Sequence, residues 1–320
     1  MLQYSMKHVI EVIDLVKTYN KAKENAVDGI SFHVNDGEFF SLLGPNGAGK
    51  TTTISILTTT LSKTSGTIKV DGRDIDTYSK QIRKEIGVIF QNPSLDKNLT
   101  AEENIRFHVT LYGLYPFRPV FSLMPAEYKK RVQELADVLD LGRDLFKPIK
   151  SYSGGMKRKL EIVRSLMHNP KILFLDEPTT GLDPLSRRNL WEYLKDVRAK
   201  QKTTIFLTTH YLEEAEGADH ICVINHGKIA AYGEPEEVKK SLIEEYIIVD
   251  AKNRHDLESE MRAKKMPFEI EKHIKVDVKG HNPAEVVQQI KTPLTYLQVH
   301  APTLEEAYLE LIESGTKQKL

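Results

Sequence analysis

The stretch that decides the fold is Gly44-Pro45-Asn46-Gly47-Ala48-Gly49-Lys50-Thr51, which Thr52 follows. Its Gly-x4-Gly-Lys-Thr spacing lies between an apolar run at residues 38–43 and a helix-like run at residues 52–61, the context that a phosphate-binding loop requires. The glycines let backbone N–H groups converge on phosphate oxygens, and the helix N-terminus adds partial positive charge. Lys50 is expected to reach the β- and γ-phosphates, and the Thr51 hydroxyl to ligate Mg²⁺. The stretch therefore predicts that the chain binds ATP.

Two carboxylates end another apolar run. Asp176 and Glu177 directly follow Ile-Leu-Phe-Leu at residues 172–175. Open α/β sheets bind ligands beyond their strand ends, so Asp176 is expected to hold Mg²⁺ through its water shell and Glu177 to polarise the attacking water. Acidic residues after a strand are also common as helix caps or solvated turns. The upstream phosphate loop favours the hydrolytic interpretation.

The composition is that of a packed globular protein. Of the 320 residues, 40% are hydrophobic and 28% are charged, values far from those of disordered chains. Lys+Arg and Asp+Glu are both 45, so net charge does not direct the chain towards nucleic acid or an anionic membrane. The single cysteine, Cys222, permits no internal disulfide and fits a reducing compartment.

Neither a signal peptide nor a membrane span is expected. The first four residues lack the basic segment and apolar core of a signal peptide. No apolar run approaches the roughly 20 residues that cross a bilayer. The sequence therefore predicts a cytosolic chain that cannot by itself move anything through a membrane.

The hydrophobic pattern predicts an α/β fold with two domains. Apolar runs separated by helix-period stretches indicate a sheet core, and strand-like residues 9–19 and 27–34 before them suggest an antiparallel β layer. Residues 100–168 have mostly helical periodicity, clearest at 126–141, and predict a helical subdomain. We place the first domain at residues 1–242 and an accessory domain at 243–320. The order β-α-β-β-α-β in the accessory domain matches a ferredoxin-like split βαβ unit.

A proline-rich segment interrupts the helical block at residues 114–125. Pro116, Pro119 and Pro125 remove backbone donors and fix φ, and Tyr115, Phe117 and their neighbours are apolar. The segment is either a partner surface or an irregular loop packed on its own helices, and we favour the loop.

Further motifs resemble those of ATP-binding-cassette (ABC) ATPases. The stretch Tyr152-Ser153-Gly154-Gly155-Met156-Lys157-Arg158-Lys159 is similar to the family's signature motif, with Met156 where glutamine is common. The family's other elements stand around it in family order. They are Tyr19 as the adenine-stacking aromatic, Gln91 in the Q-loop, Gly181-Leu182-Asp183 as the D-loop and His210 as the switch histidine. The resemblance covers residues 9 to about 242 and implies a P-loop NTPase cassette, a mixed sheet core with an antiparallel β layer and a helical subdomain.

The resemblance assigns each of these residues a role beside a plainer alternative. Ser153, Gly154 and Gly155 would face the nucleotide of a second copy, although Ser-Gly-Gly is also an ordinary helix cap. His210 would contact the γ-phosphate or orient the water, whereas a strand-end histidine is more often structural. Asp183 would communicate across the dimer, although Asp183-Pro184 is also a good helix entry.

Tyr19 and Gln91 likewise have a role implied by the resemblance and a plainer alternative. Tyr19 would stack on adenine, or it is simply an aromatic on a strand. Gln91 would touch Mg²⁺ or the attacking water, or it is solvated in a turn.

The resemblance implies the ATPase subunit of an ABC transporter that closes as a homodimer on two Mg·ATP. It would sit on the inner face of the cell membrane through separate polytopic permease subunits. The ending Pro302-Thr303-Leu304-Glu305-Glu306-Ala307-Tyr308-Leu309 looks like the extension of drug-resistance and exporter-type cassettes, which favours export. The alternative is a non-transport ABC ATPase acting on nucleic acid or ribosomes. This alternative is disfavoured because the sequence has no paired cassettes, no sustained heptads and no basic stripe. A regulatory module without turnover is disfavoured because Glu177 and His210 are both present.

Overall fold

The structure is a computed structural model that describes residues 8–20, 22–90, 94–243, 245–278 and 282–317. The chain divides into two compact units, Met1–Ala230 and Ala231–Leu320. This division lies earlier than the boundary that the hydrophobic pattern placed after residue 242. The helix that precedes that boundary therefore belongs to the second unit.

The first unit contains both strands and helices. Its strands are β1 (His8–Lys17), β2 (Val27–Asn35), β3 (Phe39–Leu43), β4 (Ser65–Val70), β5 (Arg73–Asp74), β6 (Ile86–Ile89), β7 (Ile172–Asp176), β8 (Thr204–Thr209), β9 (His220–Asn225) and β10 (Lys228–Gly233), the last crossing the division. Its helices are α1 (Lys50–Leu57), α2 (Ser79–Glu85), α3 (Ala101–Leu111), α4 (Ala126–Val138), α5 (Gly154–Leu166), α6 (Pro184–Gln201) and α7 (Leu212–Ala215).

The predicted antiparallel layer is a four-stranded sheet in the order β2-β1-β4-β5. β1 pairs antiparallel with both β2 and β4. In β2 the buried side chains Ile30, Phe32 and Val34 alternate with more exposed ones. This period of two places one face of the layer against the core.

The central sheet has six strands in the order β10-β9-β3-β8-β7-β6. β9, β3, β8, β7 and β6 pair parallel with one another in that order. Every residue of β3, β7 and β8 is buried, which explains why these strands read as continuous apolar runs rather than alternating ones.

The parallel pairing gathers three strand ends at one edge of this sheet. Leu43 at the end of β3 is paired with Thr209 of β8, and Asp176 at the end of β7 is paired with Thr208. The phosphate loop, Glu177 and His210 follow β3, β7 and β8 directly. Residues far apart in sequence therefore emerge side by side.

Helices dominate residues 100–168, as predicted. A capping box begins α3, in which the Glu103 N–H donates to Thr100 Oγ1 at 3.2 Å and the Thr100 N–H to Glu103 Oε2 at 2.8 Å. The predicted helix at 126–141 ends earlier, at Val138. The chain turns at Asp140, whose φ is 56°, while Leu141 remains buried.

The proline-rich loop, residues 114–125, has features of both alternatives, a loop packed on its own helices and an exposed apolar surface. Its aromatic residues pack on the helical block, with the Phe121 ring centroid 5.1 Å from that of Phe146 and Tyr115 against Tyr128. Its aliphatic residues Val120 and Leu123 are exposed. The loop is therefore anchored to its own helices and also presents an apolar surface.

The second unit contains a ferredoxin-like sheet. Its elements after β10 are α8 (Pro235–Leu242), β11 (Tyr246–Ala251), α9 (Arg254–Ala263), β12 (Phe268–Ile270), β13 (Ile274–Asp277), α10 (Pro283–Gln289), β14 (Leu294–His300) and α11 (Leu304–Lys317). The strand order is β12-β13-β11-β14, and each strand pairs antiparallel with its neighbours. This is the arrangement of a split βαβ unit, so that prediction is confirmed. Its core includes Val249, Leu257 and Val276.

Candidate functional site

The phosphate loop joins β3 to α1 through a turn that needs glycine. Gly44 has φ of 154°, and a Cβ there would lie 2.3 Å from the carbonyl oxygen of Ile224. Gly49 has φ of 108°, and its Cβ would lie 2.4 Å from the carbonyl oxygen of Ala26. Both a left-handed backbone and close backbone approach exclude larger residues at these two positions.

Lys50 lies across this loop. Its side chain is buried, and Nζ donates to the carbonyl oxygens of Gly44 at 2.7 Å and Pro45 at 3.1 Å. Burial lowers the pKa of Lys50, and the nearby charges of Glu177 and Asp176 oppose that shift. The ammonium group is therefore held inside the loop by carbonyl oxygens.

An open cavity of about 330 Å³ lies over the loop. Its lining residues are Ala26, Asn46, Gly47, Gly49, Lys50, Thr51, Thr52 and Glu177. The N-terminus of α1 has no capping side chain, because its N-cap is Gly49. The first backbone N–H groups of α1 are thus available to an anion in this cavity.

The two carboxylates at the end of β7 occupy different surroundings. Asp176 is buried and accepts a hydrogen bond from Thr208 Oγ1. Burial raises the pKa of Asp176, and the hydrogen bond from Thr208 opposes that shift. Glu177 has φ of 48°, a left-handed conformation that is uncommon for a residue with a side chain, and it lines the cavity.

His210 is beside Glu177. Its Nδ1 atom is 3.3 Å from Glu177 Oε1, and the histidine side chain is 44% exposed. The structure thus brings together Lys50, Thr51, Asp176, Glu177 and His210 from three parallel strands.

Tyr19 lies beside the start of α1. Its hydroxyl is 3.2 Å from the Thr52 hydroxyl, and the Lys17 ammonium lies 5.5 Å from the ring centroid. The tyrosine is 45% exposed. The ring therefore offers an accessible face next to the cavity.

The turn at Ser153, Gly154 and Gly155 begins α5 elsewhere on the unit. Ser153 is its N-cap, and its Oγ accepts from the Met156 N–H at 3.2 Å. Ser153 and Gly154 are exposed. Among the described residues that line the phosphate-loop cavity, none comes from this turn.

Comparison with known proteins identifies the family to which a chain with this site belongs. The family model described as ABC transporter matches residues 27–180. The chain is 43% identical to the daunorubicin/doxorubicin resistance ATP-binding protein DrrA of Streptomyces peucetius over 73% of this chain and 67% of that protein. The chain belongs to the ABC transporter family.

Two further matches agree with this assignment. The Nod factor export ATP-binding protein I of Ralstonia nicotianae is 40% identical over 72% of this chain and 68% of that protein. A solved dimeric structure of the ATP-binding cassette MJ0796 in a post-hydrolysis state, bound to ADP and Pi, aligns with a TM-score of 0.64 at 26% identity. It covers 70% of this chain and 98% of that one. The chain is an ABC ATPase, a class whose cassettes form dimers and work with membrane subunits.

The aspartate of the D-loop begins a helix in this chain. Asp183 is the N-cap of α6, and its Oδ1 accepts from the Ser186 N–H at 2.9 Å. The hydrogen bonds from Ser186 lower the pKa of Asp183. The helix-entry alternative is therefore what this chain adopts, and a dimer role for Asp183 stays a prediction. Gln91 of the Q-loop lies outside the described residues.

Two charged residues near the site were not predicted from the sequence. Arg158 of α5 donates to the carbonyl oxygens of Asp176 and Glu177 at 2.7 and 2.8 Å. Glu214 of α7 accepts from Thr179 Oγ1 and Thr209 Oγ1 at 2.5 and 2.7 Å. The only sequence signal for Arg158 is a charge at helical spacing with buried residues such as Ile162.

Neither a membrane span nor a protein-only metal cluster is found in the described part of the chain. No helix there is long and apolar enough to cross a bilayer. No three His, Cys, Asp or Glu side chains are grouped to hold a metal.

Proposed function

We propose that this chain is the ATPase subunit of an ABC exporter, in which two copies close on two Mg·ATP and drive separate membrane subunits. The observation that carries the proposal is the Glu177–His210 pair, 3.3 Å apart at the cavity over the phosphate loop. Export rather than import is supported by the names of the relatives, one a drug-resistance protein and one an export protein.

ATP would bind with its phosphates over the N-terminus of α1. The uncapped N–H groups of this helix and the Lys50 ammonium supply positive charge where the β- and γ-phosphates would lie. Tyr19 would stack on the adenine, because every base offers a π face. The exposed ring beside Thr52 supports that role.

The residues at the cavity fit Mg²⁺ by their chemistry. Thr51 Oγ1 and the Asp176 carboxylate are hard oxygen donors, and Mg²⁺ in such sites keeps few protein ligands because substrate phosphates and waters complete its shell. Gln91 is the third proposed ligand. When bound, the ion neutralises charge that develops on the β- and γ-phosphates. A cation near Asp176 would also oppose the rise in its pKa that burial causes.

Glu177 is the proposed general base. Its carboxylate would take the proton from the attacking water as the water approaches the γ-phosphate. His210 is placed to orient that carboxylate through Nδ1 and to present its other ring nitrogen to the phosphate. The half-exposed position of His210 supports contact with a ligand rather than a purely structural role.

The second copy would complete the site. The Ser153 hydroxyl accepts from the Met156 N–H, and a hydroxyl that accepts one hydrogen bond still has a proton to donate. The N-terminus of α5 therefore has both a hydroxyl donor and exposed backbone for the γ-phosphate held by a partner copy. The dimeric cassette with ADP and Pi is a precedent for such pairing.

Membrane subunits are the proposed further partners. The aliphatic residues Leu111, Leu114, Val120 and Leu123 of the helical block are each exposed, and exposed apolar side chains suit an apolar partner segment better than water. This contact would hold the chain at the inner face of the cell membrane. The equal numbers of basic and acidic residues, 45 each, give no support for a nucleic-acid partner.

The variant Glu177→Gln tests the proposal. Without the base, ATP binds but is not hydrolysed, so steady-state turnover should fall by about 100-fold or more and an ATP-bound dimer should accumulate. Gel filtration with and without ATP measures the dimer.

The matched control is Glu213→Gln, the same substitution at an exposed position of α7, which should keep normal turnover and form no trapped dimer. If Glu177→Gln binds ATP, stays monomeric and hydrolyses ATP at the normal rate, the assignment of the base is wrong.

A further inference from the structure

One face of the signature helix α5 is unusually polar for its burial. Arg158, Glu161 and Arg164 recur every three residues, and their side chains are only 4%, 3% and 15% exposed. Charged groups are rarely buried unless they are paired and hydrogen-bonded. The hydrogen-bond partners of these three side chains therefore indicate what the buried charges do in the fold.

Arg158 holds a group of backbone carbonyls at the catalytic edge of the sheet. Nη2 donates to the carbonyl oxygens of Asp176 at 2.7 Å and Glu177 at 2.8 Å, and Nε donates to that of Pro178 at 3.0 Å. Nη1 donates to the carbonyl oxygen of Phe90 and faces Glu161 Oε2 at 3.4 Å. The planar five-donor fork of a guanidinium suits such a fan of acceptors, and no other side chain offers it.

These contacts bear directly on Glu177. Its left-handed φ of 48° is a conformation that persists only where the surroundings enforce it. Arg158 binds the carbonyl groups of Glu177 itself and of the residue on either side. The Glu177 N–H is bonded to Thr208 O at 2.9 Å on the opposite side of the chain. The direction of the Glu177 side chain is therefore fixed by Arg158 and β8 together.

The same helix also holds the chain on either side of the Q-loop. Phe90 is bound by Arg158, as described above. On the other side, the Ser94 N–H donates to Glu161 Oε1 at 2.7 Å and the Ser94 carbonyl oxygen accepts from Arg164 Nη1 at 2.8 Å. One rigid helix thus touches the turn of Glu177, both flanks of the Gln91 segment and, at its N-terminus, the Ser153 turn.

We propose that Arg158 is a positioning residue, which ties the orientation of Glu177 to the signature helix. A movement of α5 when its N-terminus engages the partner's nucleotide would reach Glu177 through this guanidinium, and so would make hydrolysis depend on a closed dimer. The inference rests on the proposed role of Glu177 as general base.

The test compares Arg158→Gln with Arg131→Gln, a matched loss of charge at an arginine of α4 that also donates to a backbone carbonyl, that of Leu166 at 3.2 Å. Arg158→Gln should lower kcat about 100-fold, the order expected when a catalytic group is displaced by about 1 Å, while Kd for a fluorescent ATP analogue changes by less than about two-fold. Arg158→Lys, which keeps the charge but offers fewer directed donors, should recover part of kcat. Arg131→Gln should keep kcat within about three-fold of the unchanged chain, since Arg131 bonds Leu166 and Asn169 at the C-terminal end of α5, away from Glu177 and the Q-loop.

A purely structural role would give a different pattern, in which kcat, ATP affinity and melting temperature fall together for both arginines. That result would overturn the inference. If Arg158→Gln does not fold, Arg158→Lys carries the test by the same split between kcat and Kd.

The double variant separates this inference from the proposed function. If Arg158 acts through Glu177, then adding Arg158→Gln to Glu177→Gln should lower the residual turnover no further. A further loss of 10-fold or more would show that Arg158 acts elsewhere. If Glu177→Gln alone keeps normal turnover, the proposed base is wrong whatever Arg158 does. If Glu177→Gln is inactive and Arg158→Gln is fully active, only the positioning role fails.

Discussion

Two helices of this chain, α1 and α5, begin at a glycine-containing turn, yet their N-termini lie in opposite surroundings. At α1 the turn encloses the buried ammonium of Lys50, and we call it the enclosed turn; the open cavity above it is lined by loop residues and Glu177. At α5 the turn is exposed and is capped only by its own Ser153. A helix N-terminus of this kind can bind an anion. The one at α1 lies beside Glu177, whereas the one at α5 contributes no residue to that cavity in the described chain.

This difference indicates which of the two turns can bind ATP in a single copy of the chain. The enclosed turn has the charge and the base that ATP needs. The exposed turn contributes nothing to that cavity within the described chain. If the two are halves of one site, damage to the first should abolish binding, and damage to the second should abolish only turnover.

The largest effect is expected for Lys50→Ala. Removing a buried ammonium that faces phosphate oxygens typically costs about 2–5 kcal/mol, so affinity for ATP should fall by about 30-fold or more. Isothermal titration of the single chain with Mg·ATP measures this loss. An unchanged Kd would show that the enclosed turn is not where the phosphates bind.

The control for Lys50 is Lys157→Ala, at a partly exposed lysine of α5 just after the exposed turn. It should leave Kd for ATP in the single chain unchanged. A comparable loss of affinity there would break the distinction between the two turns.

A smaller and more selective effect is expected for Gly154→Asp. A Cβ at Gly154 meets no atom within 4 Å and Gly154 has no positive φ, and a carboxylate in the first turn of a helix is favourable. The variant should therefore fold and bind ATP as before. In a dimer, however, the carboxylate would oppose the partner's γ-phosphate, so turnover should fall by roughly 10- to 100-fold.

The readout for Gly154→Asp pairs ATP titration with steady-state hydrolysis, and Gly154→Ala serves as the uncharged control that should keep most activity. Normal hydrolysis by Gly154→Asp would show that the exposed turn does not face a nucleotide. Loss of ATP binding in the single chain would show that the turn belongs to the same copy's site.

Much of the molecule was predictable because its signals are local. Buried parallel strands appear as apolar runs, as in β7, and the accessory βαββαβ order follows from strand and helix periods alone. The phosphate loop is a single continuous stretch whose spacing carries its chemistry. The end of α4 was less predictable, because Leu141 keeps the helical burial period after the backbone has turned at Asp140.

What the sequence could not supply are contacts made across the fold. Arg158 meets Asp176 and Phe90 only because α5 packs against β6, which is paired with β7. Glu214 meets Thr179 only because β7 and β8 are neighbours. An arginine in a basic run such as Lys157-Arg158-Lys159 resembles a solvated surface residue. Its burial and its carbonyl partners are visible only in three dimensions.

The smallest effect is expected for Tyr19→Ala, which tests whether a residue beside the enclosed turn stacks on the adenine of ATP. Stacking of a base on an aromatic ring contributes about 1–3 kcal/mol. Because the Tyr19 ring is 45% exposed, the lower end applies, and Kd for ATP should rise about 5- to 10-fold with kcat little changed. Tyr19→Phe keeps the ring and loses only the contact with Thr52, so its Kd should stay within about two-fold of the unchanged chain. Because stacking reads no base edges, GTP should lose affinity by the same factor as ATP. Equal behaviour of Ala and Phe would instead assign the effect to the hydroxyl.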